Sequence, residues 1–120
     1  MDKTNQFSQK DIQENKGISF WAYFGLLFIV PYFAASDSPF AQFHARQGFA
    51  LMLSELILIL FIFISNLISS FVSIFSLVTL ILAVLFFAFV WFFTIYGVVN
   101  TLKGNAKILP LIGPKKIKKV

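Results

Sequence analysis

"LILILFIFISNLISSFVSIFSLVTLILAVLFFAFVWFFTIYGVVNTL", residues 56–102, runs for 47 positions between Glu55 and Lys103 without a charge. About 18 such residues already suffice for a membrane crossing. The only polar interruption is "SNLISS", residues 65–70. The stretch therefore reads as parts of two crossings joined by a tight hairpin, one over residues 43–64 and one over residues 71–99. At about 1.5 Å per residue the latter is about 43 Å long, more than a hydrocarbon core of about 30 Å, so it should tilt or project from the bilayer.

Composition agrees. The chain has 120 residues, 58% hydrophobic and 12% charged, with 17 phenylalanines. A soluble domain of this size keeps too much of its surface exposed to bury that much apolar material. The absence of cysteine excludes disulfides, thiolate metal sites and cysteine nucleophiles. The net charge of +5 comes from lysines near the two ends, and so points to a membrane surface rather than to nucleic acid.

Upstream, "GISFWAYFGLLFIVPYFAA" (residues 17–35) carries no charge, and its 19 residues would span about 28 Å as a helix. Trp21, Tyr23 and Tyr32 lie toward its ends, as an aromatic belt would place them. It is read as a first span, with Pro31 as a kink near its end. A cleaved signal peptide fits less well, because the preceding segment is long and neutral. "SDSPF", residues 36–40, is a turn. The predicted fold is all-α: a multi-pass bundle of three spans. A polar amino-terminal tail (residues 1–16), expected to be mostly disordered, precedes the bundle (residues 17–102). A basic carboxyl-terminal tail (residues 103–120) follows it.

Three spans place the two ends on opposite sides. The side holding the carboxyl tail and the first loop has seven Lys and Arg against three on the other. Positive charge stays cytoplasmic, which predicts an outside amino terminus and a cytoplasmic carboxyl terminus in a bacterial cytoplasmic membrane.

In the second span His44, Gly48, Leu51 and Glu55 share one helical face, with Gln47 and Ser54 beside it and Arg46 roughly opposite. Gly48 would let a neighbouring segment approach. Glu55 lies about 16 Å along the axis from His44. A charged acid at that depth costs roughly 2.5–3.5 kcal/mol, so it must be neutral or paired. Folding the hairpin about Leu67 sets Thr79 and Ser76 opposite Glu55, with Tyr23 at comparable depth. These four residues form an expected intramembrane polar cluster. Its functional reading is a proton or cation relay, but no second acid or base stands at that depth, so interhelical hydrogen bonding is the simpler reading. Asp37, His44, Arg46 and Gln47 form an expected interfacial motif, with Asp37 pairing to His44 or Arg46. Arg46 reads as a snorkelling anchor.

His44 lacks companion ligands, so no metal site is expected. No nucleophile, base and orienting group stand together, and no phosphate loop exists, so neither enzyme activity nor a cofactor is expected. Lys115, Lys116, Lys118 and Lys119 are expected to meet anionic lipid headgroups at about 1 kcal/mol each. Ser65, Ser69, Ser70, Ser73, Ser76 and Thr79 crowd the hairpin and could line a homo-oligomeric or larger interface.

The runs "FHARQG" (residues 43–48) and "NTLKGNAKILPLIG" (residues 100–113), separated by the apolar pair, resemble a family of small bacterial membrane proteins. That family is related to the chloroplast inner-envelope import component Tic-twenty and includes the magnetosome protein MamF. The resemblance covers residues 18–113 and implies a helical membrane bundle without known catalytic residues. Its chloroplast relatives imply a translocon-associated role, and its magnetosome relatives imply control of crystal size. The function expected is that of a scaffold or accessory subunit of a membrane complex. A transport or permeation component, translocon-like or holin-like, is the alternative.

Overall fold

The computed structural model describes residues 2–114 as an all-α chain. The lysines at 115, 116, 118 and 119 lie outside the described residues. Four α-helices are present: α1 Gln9–Ser19, α2 Ile29–Ala34, α3 Pro39–Ser69 and α4 Phe75–Leu102. Short 3₁₀ turns occupy Thr4–Gln6, Phe20–Tyr23 and Gly25–Phe28.

Helices α3 and α4 are the two long enough and apolar enough to cross a membrane. Only 11% of the most apolar window of each is buried, so neither is the core helix of a soluble protein. They pack as a hairpin. The reversal falls at residues 70–74, so of the segment expected to form it only Ser70 takes part. Serine does not stop a helix when its hydroxyl can bond a local carbonyl, as Ser69 does to Asn66 (2.6 Å). Ser65 and Thr79 hydroxyls meet across the hairpin at 2.8 Å, so its midpoint is Val72, not Leu67. That shift moves every facing pair by ten positions.

The apolar segment at residues 17–35 does not form the continuous first span expected. The chain passes from α1 through the turn Phe20–Tyr23, breaks at Phe24 (φ −110°, ψ 69°) and Gly25 (φ +58°), and returns through Gly25–Phe28 and α2. Positive φ at Gly25 costs little because glycine has no Cβ. Pro31 lies in the first turn of α2, where its missing N–H would have had no helical partner anyway. Two contacts establish the reversal. Residues 8–15 line one cleft together with residues 34–39, and Ala22 lies against Gly48 while Phe28 stacks on Phe49 at 5.2 Å. Residues 9–34 are thus a helical hairpin that descends along α3 and comes back.

The polar amino-terminal segment is ordered, contrary to the expectation of a loose tail. Ser8 caps α1 by accepting from the Asp11 amide at 3.1 Å. Phe7 and Ile12 anchor it in a cluster with Phe40, Phe43, Ala106 and Ile108. Lys3 N–H donates to the Ala106 carbonyl at 2.7 Å, and Ala106 N–H donates to the Thr4 hydroxyl at 2.9 Å. Residues 3–4 and Ala106 are hydrogen-bonded to each other, so the segments before α1 and after α4 cannot lie on opposite sides of a bilayer. The expected opposite-sided topology is corrected accordingly.

The molecule therefore has two parts along its 57 Å length. A packed head is built from residues 2–51 and 93–114. Below it extends a bare helical hairpin in which, between Leu51 and Phe93, Ser65 alone is buried. The exposed apolar band on α3 from Phe49 to Ser69 is about 31 Å long, matching a hydrocarbon core of about 30 Å. The chain is a membrane protein with two span-like helices.

Candidate functional site

The start of α3 is fixed by an acid from α1. Asp11 accepts from the Phe40 amide at 2.9 Å and from the Ser38 hydroxyl, while Ser38 Oγ accepts from the Ala41 amide at 3.0 Å. One carboxylate and one serine thus serve the free N–H groups of the first turn. Asp37, expected to pair with His44 or Arg46, is exposed in the turn and makes no hydrogen bond or ion pair among the described residues. One turn on, Gln42 donates to the carbonyls of Pro31, Tyr32 and Ala35 (3.0–3.3 Å). It thereby ties α3 to the carboxyl end of α2, sharing the Pro31 and Ala35 carbonyls with the Ala35 and Ser38 amides.

His44 lies at the centre of the head, fully buried. Its Nε2 faces the Asn105 carbonyl at 3.0 Å, and a carbonyl only accepts, so Nε2 carries the proton. Its Nδ1 lies 2.6 Å from the Tyr23 hydroxyl and 3.1 Å from that of Thr101. Thr101 donates to the Gly97 carbonyl at 2.7 Å, so the Tyr23 hydroxyl is the donor to Nδ1. Phe40 and Phe43 enclose the ring edge-on. One turn further, Gln47 accepts from the Leu109 amide at 3.0 Å and donates to the Pro114 carbonyl at 2.9 Å. The runs 43–48 and 100–113 therefore interlock side chain to backbone. Gly104, at φ +78°, ends α4 and turns the chain back toward α3. Gly48 and Gly97 admit the descending hairpin: a Cβ on either would overlap the Ala22 carbonyl or the Tyr23 ring.

Arg46 is half-buried on a groove of about 290 Å³ lined by Phe28, Tyr32, Ala45 and Phe49. The expected interfacial motif is thus divided. His44 and Gln47 are structural centres of the head, Arg46 lines a groove beside it, and Asp37 is in the turn.

Of the expected intramembrane cluster only Glu55 and Tyr23 come together, as linings of one groove, while Thr79 and Ser76 lie elsewhere. Thr79 bonds Ser65 and the Phe75 carbonyl, Ser76 bonds the Ser73 carbonyl, and Tyr23 bonds His44. With the midpoint at Val72, Glu55 stands opposite Phe89 instead. It is half-buried, without a hydrogen-bond partner among the described residues. It lines an open groove of about 330 Å³ with Tyr23, Phe24, Gly25, Val90, Trp91 and Thr94. Thr94 donates to the Tyr23 carbonyl at 3.2 Å, satisfying backbone freed at the hairpin tip. No group of three His, Asp or Glu that could hold a metal occurs among the described residues.

Sequence reasoning missed Asp11, Gln42, Thr101 and Asn105. Asp11 was visible as an acid in the first turn after Ser8. Its reach across 29 positions to Phe40 was not.

The interlocked segments lie within a match to the MamF_MmsF family, described as the magnetosome magnetite crystal formation protein family, over residues 14–115. The chain belongs to that family. The match takes in the second half of α1, the rest of the re-entrant hairpin, both long helices and the segment that Gln47 clasps, so the MamF_MmsF region covers the folded unit except residues 2–13. No curated protein and no solved structure matches the chain.

Proposed function

We propose that this MamF_MmsF chain is a non-catalytic scaffold or accessory subunit of a membrane complex, acting in the membrane that surrounds forming magnetite. The fate of the polar side chains carries the reading. His44, Tyr23, Gln47 and Thr101 all hold the head together, and no buried side-chain polar atom is left without a partner among the described residues. What remains available is surface: an apolar hairpin for lipid or a second helix pair, and a charged head.

In this reading α3 and α4 cross the bilayer, and the head with both chain ends lies on the cytoplasmic face. All ten Lys and Arg precede or follow residues 56–102 in the sequence, and the described ones belong to the head. That distribution supports a cytoplasmic head. The family description supports the magnetosome membrane in place of the general cytoplasmic membrane. Lys115, Lys116, Lys118 and Lys119 are assigned to anionic headgroups, at about 1 kcal/mol each.

One observation favours a second reading, permeation. Glu55 is an unpaired acid where the tip of a broken helical hairpin meets α4, an arrangement that transport sites use. Reconstitution decides between them. The scaffold reading expects tight proteoliposomes, with other membrane proteins recovered after crosslinking and purification in mild detergent. Leakage that rises with protein dose and disappears in Glu55→Leu would replace it with the second.

A further inference from the structure

We propose that the chain is a one-sided membrane wedge that favours bilayers curved with the head on the convex side. The inference rests on the membrane placement above and adds a lipid-shaping activity to it.

The molecule has a different cross-section at two depths. On the head side four helical segments run side by side: α3, α4 and the two limbs of the hairpin at residues 9–34. On the far side only α3 and α4 continue, from Leu56 to Val90. The tip of the hairpin, Phe24 and Gly25, lies beside Glu55 and Val90. Glu55 is six residues below the start of the exposed band at Phe49, hence about 9 Å into a leaflet of roughly 15 Å. The extra limbs therefore enter one leaflet and stop short of the midplane. Helices about 10–12 Å across each occupy roughly 80–110 Å² in projection, so from the surface down to the tip the head-side leaflet carries about twice the protein area of the other.

The tip is also built to stay in lipid. Leu26 is 68% exposed, with Trp21, Phe24, Leu27 and Ile29 also exposed on the same hairpin. Apolar surface of this kind is covered by acyl chains and headgroup-level contacts when inserted beside spanning helices. Spreading one leaflet relative to the other is relieved by bending toward the narrower side.

The test uses the full chain with Lys10→Cys, an exposed position in a protein that has no cysteine. Reconstituted into vesicles of mixed size, the protein is labelled from outside with an impermeant dye to mark head-out copies. Head-in copies are marked after permeabilisation. Head-out copies should be enriched severalfold, per membrane area, in the smallest vesicles over the largest, and head-in copies depleted. Leu26→Asp with Ile29→Asp, which expels the tip from hydrocarbon, should abolish the difference. Trp21→Ala with Leu26→Ala, which thins the wedge at exposed positions, should reduce it. Equal distribution of the two orientations, or enrichment untouched by both variants, would overturn the wedge while leaving a carbonate-resistant, inserted protein. Extraction by alkaline carbonate would instead overturn the membrane placement, and the wedge with it.

Discussion

His44 shows how one side chain joins distant parts of this chain. Its ring accepts from Tyr23 in the descending hairpin and donates to Asn105 beyond α4. Replacement by leucine would strand a buried hydroxyl and a carbonyl, each costing about 1–3 kcal/mol. His44→Leu, which strands two buried groups, should therefore lower the unfolding midpoint in mild detergent more than Tyr23→Phe, which strands only the His44 Nδ1; equal losses would contradict the assignment. A second contrast concerns two acids. Asp11→Ala removes the carboxylate that serves Phe40 and Ser38 and should cost about 0.5–2 kcal/mol. Asp37→Ala should stay within about 0.5 kcal/mol, read by the same melts. A third contrast concerns glycines. Gly48→Ala drives a methyl into the Ala22 carbonyl and should displace the hairpin, whereas Gly17→Ala meets open space within α1. The latter should stabilise by roughly 0.5–1 kcal/mol. At this scale the sequence revealed which residues were unusual but not their partners. His44 and Gln47 stood out as polar groups beside an apolar helix, whereas contacts to positions 57–67 residues away carry no local signal.

Among the elements, the long apolar helices were legible because an uncharged run of that length has one stable home. The segment at residues 17–35 was not, because composition alone does not distinguish a crossing from a helical hairpin that enters and returns. Its 19 residues match a bilayer in length, and Gly25 and Pro31, which break and restart the helix, are both tolerated in spanning helices. The reversal between α3 and α4 was placed too early for a related reason: serine is a turn former in water and a helix residue when its hydroxyl folds back on the helix. The amino-terminal strand-like clasp makes a prediction of its own. Hydrogen bonds from the Thr4 hydroxyl, and then from its amide, hold the Asp2 carboxyl below its ordinary value. A group whose folded value is lowered contributes stability above its unfolded value, near 3.8, and loses it as pH falls through the folded one. Amide exchange at Ala106, which donates to Thr4, should accelerate relative to Leu109 below about pH 4. Parallel behaviour of the two amides would show that the clasp does not depend on Asp2.

For the whole molecule, the consequence is a change in sidedness. A first apolar segment that crossed would separate the chain ends. A segment that returns keeps residues 2–16, residues 36–38 and residues 103–114 in one head, as the bonds between Lys3 and Ala106 and between Asp11 and Phe40 require. The positive charges of the described residues then gather on that face, and the apolar reversal around Phe71, 91% exposed, lies at the other. The scaffold reading and the one-sided wedge both depend on this arrangement. Its most direct test is cysteine accessibility in sealed membrane vesicles of one orientation, with single cysteines at Lys10, Ser36 and Phe71. The account predicts that Lys10→Cys and Ser36→Cys react with an impermeant maleimide from the same face and Phe71→Cys from the opposite one. Labelling of Ser36→Cys from the face opposite Lys10→Cys would mean that residues 17–35 cross the bilayer, and would contradict it.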